Sequence, residues 1–242
     1  MNMPTQPVDA FLTRYLVRDR SLLIHLPERR RVLSSAPRGG GLGHARSIIN
    51  HQVPRHPLRG SGASSQRTWS DPARYLGDVA RRLRAPQPCV GLMTAVPLEN
   101  LVVLREQADD LWVEGFFTVG VTKAVRVGES IDSTPSADPQ KPGTINVVLI
   151  TNAALTVSAM VTAVQVATES KAAVLLANRI PSWTGRSEAT GTGTDVVVVV
   201  NGNGPLIRYS GTHTRIGELI GKLVSHGIES GLIKARRWKR SR

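Results

Sequence analysis

Two stretches of the chain carry continuous apolar runs, and they organise the reading of the rest. Residues 143–151 (GTINVVLIT) and 195–201 (DVVVVVN) have the continuous branched pattern of strands covered on both faces. Between them, residues 155–177 run without glycine or proline and predict one long helix. Met160, Val164, Ala167 and Val174 share a face of it, while Ser158, Thr162, Gln165 and Glu169 form the polar stripe. Lys171 falls on the apolar face, so it is either buried and paired or the helix bends before it. Elsewhere the pattern is shorter in range. Residues 21–36 predict two short strands joined by a charged turn at 27–31, and 90–96, 101–105 and 112–122 predict three more. Residues 73–83 predict a helix with Leu76, Val79, Ala80 and Leu83 inward and Asp71 as its cap. Residues 205–209 make a further strand, and 215–229 a helix burying Ile216, Leu219, Ile220 and Leu223. Polar loops are expected at 37–43, 130–142 and 182–194. Irregular interleaving of strands and helices gives an α/β or α+β fold, a single layered domain with a mixed β-sheet and packed helices.

The 242 residues suffice for one full core. Residues 1–20 read as a lead-in, 21–233 as the folded domain, 54–72 as a mobile polar insertion, and 234–242 (KARRWKRSR) as a basic disordered tail. A single cysteine, Cys89, excludes a disulfide framework and points to a reducing cytoplasm. The first twenty residues lack the apolar core of a secretory signal, and no apolar run approaches a membrane span, so neither export nor a membrane is expected.

The net charge of +13 suggests nucleic acid until it is divided along the chain. Residues 1–86 carry +10, residues 87–233 carry −3, and residues 234–242 carry +6. The half with the buried strands is therefore slightly acidic, and ten aromatics leave little for base stacking. A nucleic-acid binder using the basic ends is the weaker reading.

Three polar segments can carry chemistry. Gly39, Gly40 and Gly41 expose successive backbone N–H groups that suit an anion, a carbonyl or an oxyanion, although the spacing matches neither the dinucleotide nor the P-loop fingerprint. Residues 189–195 (ATGTGTD) set hydroxyls at Thr190, Thr192 and Thr194 before the carboxylate of Asp195. Residues 211–218 (GTHTRIGE) place His213 beside Thr214, a natural N-cap, with Glu218 one turn on. The remaining histidines show no metal-ligand spacing, so no metal is expected.

The segments VLSSAPRGGG with IINHQV, GLMTAV, FFTVGVTKAVRVGE, GTINVVLIT, ATESKAAVL, ATGTGTD and YSGTHTRIGELIG occur in that order over residues 21–229. Together the set resembles the adenosylcobinamide amidohydrolase family of corrinoid salvage, with Lys123 where the family's run carries asparagine. The resemblance implies hydrolysis of the amide joining the aminopropanol arm to the corrin ring, giving adenosylcobyric acid. It also implies a small-molecule corrinoid partner and no cofactor, cobalt entering only as part of the substrate. Amide hydrolysis needs an activated nucleophile, oxyanion donors and an acid for the leaving amine. On chemical grounds Glu169 or Asp195 with His213 supplies base and acid, and Lys171 either polarises the carbonyl or holds a carboxylate ionised by proximity. Gly40 and Gly41, with Gly39, supply N–H donors, while Asn50, Thr190, Thr192, Thr194, Thr214 and Glu218 contact substrate. Thr194 is the alternative nucleophile. A binding protein that keeps the corrinoid pocket without the chemistry is the rival reading.

Overall fold

The computed structural model describes residues 13–53, 71–130, 143–185 and 187–240. Residues 1–12 of the expected lead-in, most of the insertion expected at 54–72 and most of the 130–142 loop lie outside these. Strands β1 (Arg14–Arg18), β2 (Ser21–Ser34) and β3 (Gly41–Gln52) open the chain, followed by helix α1 (Pro72–Arg82) and β4 (Cys89–Thr94). Next come β5 (Val102–Ala108), β6 (Leu111–Val119), β7 (Ala124–Val125), β8 (Ile145–Thr151) and β9 (Ala154–Leu155). Helix α2 (Val157–Ala177), β10 (Gly191–Thr192), β11 (Val196–Val200), β12 (Leu206–Ile207) and helix α3 (Arg215–Arg240) complete it.

Seven strands run β4-β3-β2-β11-β8-β6-β5 in one mixed sheet, and β1 adds beside the first half of β2. β3 and β4 are parallel neighbours joined through α1, and β8 and β11 are parallel neighbours joined through α2. The sheet is folded on itself. In sequence of strands β3 and β8 are three steps apart, about 14 Å if flat, yet the Asn146 amide of β8 donates to Asn50 Oδ1 of β3 at 3.0 Å. Side-chain alternation agrees. Leu22, Ile24, Ile48, Val90 and Leu92 pack against Phe116, Val148, Ile150 and the even-numbered valines 196, 198 and 200 in an inner core. The opposite face of β6, β8 and β11 packs on α2 and α3. The opposite face of β2 and β3, with Leu23 and Ile49, packs on Leu76, Val79 and Ala80 of α1. Four layers result, helix, sheet limb, sheet limb, helix, which is why strands 145–151 and 196–200 are buried on both faces and largely apolar.

Several elements differ from the sequence reading. β2 is one long strand, because its charged middle is accommodated by an irregularity in pairing with β3 between His25 and Arg30. β3, which follows the glycine triplet, carries too little alternation for recognition but is covered by β2 and β4. α3 continues through the residues expected to form a tail, as far as Arg240, and Lys234 Nζ donates to Leu101 O at 2.6 Å. Among the described residues, α2 is long and apolar enough to cross a membrane, contrary to the sequence reading. Its buried residues, including Met160, Val166 and Leu175, pack on the sheet and α3, which gives that apolarity a use in the core.

Helix α3 lies unusually close to β6. A Cβ at Gly227 would stand 2.5 Å from the Phe117 ring, and one at Gly231 2.4 Å from Val119. Both positions need glycine for close approach.

Between β2, β3 and α1, Ser21 Oγ contacts His51 Nδ1 at 2.8 Å and His51 Nε2 contacts Tyr75 Oη at 2.9 Å. Burial, helped by Arg82 and Arg20, lowers the His51 pKa to about 4. The imidazole is thus neutral in the fold and takes up a proton on unfolding below its ordinary value of 6.5. Stability should therefore fall as pH drops from about 6.5 to about 4. His51→Gln should flatten that limb of the stability–pH curve in urea titrations, and an unchanged slope would contradict the assignment.

Candidate functional site

Helix α2 carries Lys171 on its buried face, as the periodicity requires, and the ammonium meets Asp195 Oδ2 at 2.5 Å. Of the two alternatives open in the sequence, buried and paired is the one realised. Asp195 stands at the entry to β11 and takes four donors. Oδ2 accepts Lys171 Nζ and Thr192 N (3.0 Å), while Oδ1 accepts Ile145 N (2.9 Å) and the Thr192 hydroxyl. Burying two charges is tolerable when such bonds satisfy the remaining lone pairs.

That pair ties three segments together. Thr192 belongs to β10, which pairs with β7; Thr190 N donates to Val125 O, and Thr190 Oγ1 accepts Val127 N. Glu129, just beyond, accepts hydroxyls from Ser182, Thr184 and Ser187, and chiefly the Thr184 bond holds its pKa down near 2. Ile145 begins β8, so Asp195 also fixes the residue before it, Thr144.

Thr144 is 5% exposed. Its hydroxyl donates to Thr194 O at 2.8 Å and lies 3.4 Å from Asn146 Oδ1. Behind it runs a buried amide row. Asn146 Nδ2 donates to Asn50 Oδ1 and to Met93 O, and Asn50 Nδ2 donates to Thr118 Oγ1. Thr144 and Thr194 open on a cavity of about 220 Å³ whose other walls are Pro37, Val53, Pro72, Met93, Thr94, Ala95 and Val196. Apolar walls with three threonines among them and a charged pair behind are the usual make-up of a small-molecule site.

The residues expected from the sequence separate into two groups. Asp195, Lys171, Thr192, Thr194 and Asn50 belong to this site, with Thr190 bracing it. The glycine triplet is its neighbour through Pro37. Gly39 and Gly41 adopt positive φ, 71° and 85°, and a Cβ at Gly40 would lie 2.6 Å from Ala36 O, so part of its composition is conformational. Glu169 does not join. It is exposed on the polar stripe of α2. His213 is exposed too, at the other end of the molecule: Ser210 beside it bonds Ala159 O, at the start of α2, about 18 Å along the helix from Lys171. Thr214 caps α3 by accepting Gly217 N, and Glu218 is paired with Arg215 and Lys222 at that surface. Helical periodicity gave both residues plausible positions but could not show which end of a helix faces the site. Asp195 accepts two donors on each oxygen, and orienting its neighbours is the role that this geometry displays. It is an anchor.

Thr144, Asn146 and Thr118 were not anticipated. For Thr144 and Asn146 the available signal was a polar pair at the start of the largely apolar run at 143–151.

The model of the adenosylcobinamide amidohydrolase family matches residues 6–240. This chain belongs to the adenosylcobinamide amidohydrolase family. A relative from Methanosarcina mazei named adenosylcobinamide amidohydrolase is 30% identical over 205 residues, covering 80% of this chain and 86% of that one. An uncharacterized protein of Methanocaldococcus jannaschii is 31% identical over 231 residues, covering 89% and 86%. Among solved structures, the L-aminopeptidase D-Ala-esterase/amidase of Ochrobactrum anthropi aligns over 92% of this chain and 83% of its own at 8% identity, TM-score 0.42. A Pyrococcus horikoshii protein aligns over the same shares at 10% identity, TM-score 0.40. Membership in this family makes hydrolysis the class of activity.

Lys171→Met alone leaves a buried carboxylate without its counter-charge and should cost about 3–5 kcal/mol in chemical denaturation. Adding Asp195→Asn should return a large part of that loss. If the double variant is no more stable than the single, the pair is not the coupled unit described here.

Proposed function

We propose that the chain hydrolyses the aminopropanol amide of adenosylcobinamide, releasing adenosylcobyric acid for cobalamin assembly, at the cavity floored by Thr144 and Thr194. The observation that carries this reading is the pairing of family membership with those two hydroxyls at the floor of an apolar cavity. Its volume fits a short amide-linked arm rather than a whole corrinoid, so the ring system would lie across the mouth. The amide row of Asn50, Asn146 and Thr118 holds the floor rigid, and rigid placement is worth several kcal/mol of barrier. Cobalt enters with the substrate. Among the described residues the site's one carboxylate, Asp195, is already paired with Lys171, a poor donor set for a resident metal. No nucleic-acid or membrane partner is invoked, and the setting is cytoplasmic.

Mass spectrometry of products from a panel of corrinoids tests the reading. Adenosylcobinamide should yield adenosylcobyric acid and free aminopropanol; binding without turnover would make the chain a corrinoid-binding protein instead. Asp195→Asn disturbs the anchor next to Thr144 and should lower turnover about a hundredfold, the scale of a misplacement near 1 Å. Glu169→Gln should turn over at the wild-type rate.

A further inference from the structure

Thr144 poses a problem that the amidohydrolase reading alone does not solve. Thr144 lines the cavity, but the partners of its hydroxyl oxygen are a backbone carbonyl, Thr194 O, and an amide oxygen, Asn146 Oδ1. Neither accepts a proton near neutral pH. Asp195, one residue away through Ile145 N, already accepts two donors on each oxygen. A threonine hydroxyl with no base beside it among the described residues is a weak nucleophile, and one known remedy is a free amine on the same residue.

The peptide that locks up that amine is itself arranged for attack. Thr194 Oγ1 donates to the Gly143 carbonyl oxygen at 3.4 Å, where a developing oxyanion would need a donor. Gly143 is wedged against the turn after β6, and a Cβ there would lie 2.8 Å from Gly120 O and 2.9 Å from both Thr122 N and Lys123 N. On the other side Gly120 N holds Thr144 O at 2.9 Å and Asp195 holds Ile145 N. A bond with its carbonyl polarised, its glycine confined and the following residue pinned is presented to the adjacent hydroxyl.

We infer that the chain cleaves itself between Gly143 and Thr144, and that the freed α-amine of Thr144 then serves as the base for its own hydroxyl in amide hydrolysis. The second half of this inference rests on the reading proposed above; the first does not. In the cleavage, Thr144 Oγ adds to the Gly143 carbonyl carbon, the C–N bond breaks, and the nitrogen takes the hydroxyl proton. The resulting ester is hydrolysed by one water to a Gly143 carboxylate and a Thr144 bearing both free amine and hydroxyl. In turnover the same oxygen attacks the substrate amide while its proton passes to the amine and on to the departing aminopropanol. Water then releases the corrinoid carboxylate from the ester. The β8 strand stays in place through its pairing with β6 and β11 on both sides.

Intact-mass measurement and N-terminal sequencing of the purified full chain provide the test. Wild type should separate under denaturing conditions into residues 1–143 and 144–242, the second beginning Thr-Ile-Asn-Val. Thr144→Ala should stay a single 26.1 kDa chain with a native circular dichroism spectrum and lose turnover by on the order of a thousandfold or more. Thr144→Ser keeps the hydroxyl and should still cleave, which separates chemistry from folding. A wild-type chain that stays whole, active or not, overturns the inference, as does a Thr144→Ala chain that splits. A wild type that splits but leaves adenosylcobinamide intact upholds the cleavage and sinks the proposed substrate.

Discussion

The ion pair between Lys171 and Asp195 is the constraint on which the working end of the molecule depends. Two charges taken from water demand many compensating bonds, and the donors that supply them come from α2, from β10 and from the first residue of β8. Helix, hairpin and strand are thereby fixed relative to one another at one place. Thr144 and Thr194 inherit their positions from that arrangement, and the cavity inherits its floor. The charges contribute less to stability than to uniqueness of geometry, because a slip of one residue in β8 would turn Thr144 away from the cavity and take the Ile145 amide from Asp195.

The folded sheet explains how so small a chain can support such a site. Folding brings β3 against β6 and β8, so Asn50 reaches Thr118 and Asn146 across strands distant in the sheet order. Amides that would otherwise need water satisfy one another in the interior. The two crossovers put α1 on one outer face and α2 on the other, leaving both sheet limbs covered.

Much of this was legible in the residues. The largely apolar runs at 143–151 and 195–201 announced strands covered on both faces, and Lys171 on an apolar helical face announced either a buried partner or a bend in the helix. Asp195 was recognisable as chemically important because it closes a hydroxyl-rich loop before such a strand. What stayed hidden was long-range. Nothing local shows that His213 sits at the start of α2 rather than near its end, and a solvated stripe and a cleft wall share the periodicity that carries Glu169. β2 was hidden for a different reason: its charged middle resembles a turn, and only pairing with β3 on one side and with β1 and β11 on the other holds it extended. Likewise the basic end looks unfit to pack until the preceding turns of α3 carry it along.

The contact of α3 with β6 has a consequence for how this protein can change over time. Phe117 occupies the space that a side chain at Gly227 would need, and Val119 the space at Gly231. The contacting residues lie more than a hundred positions apart, yet their inventories of atoms are complementary. A lineage can enlarge the helix surface only where the strand shrinks at the same depth, so substitutions in α3 and β6 should travel as compensated pairs while the polar face of the same helix drifts freely.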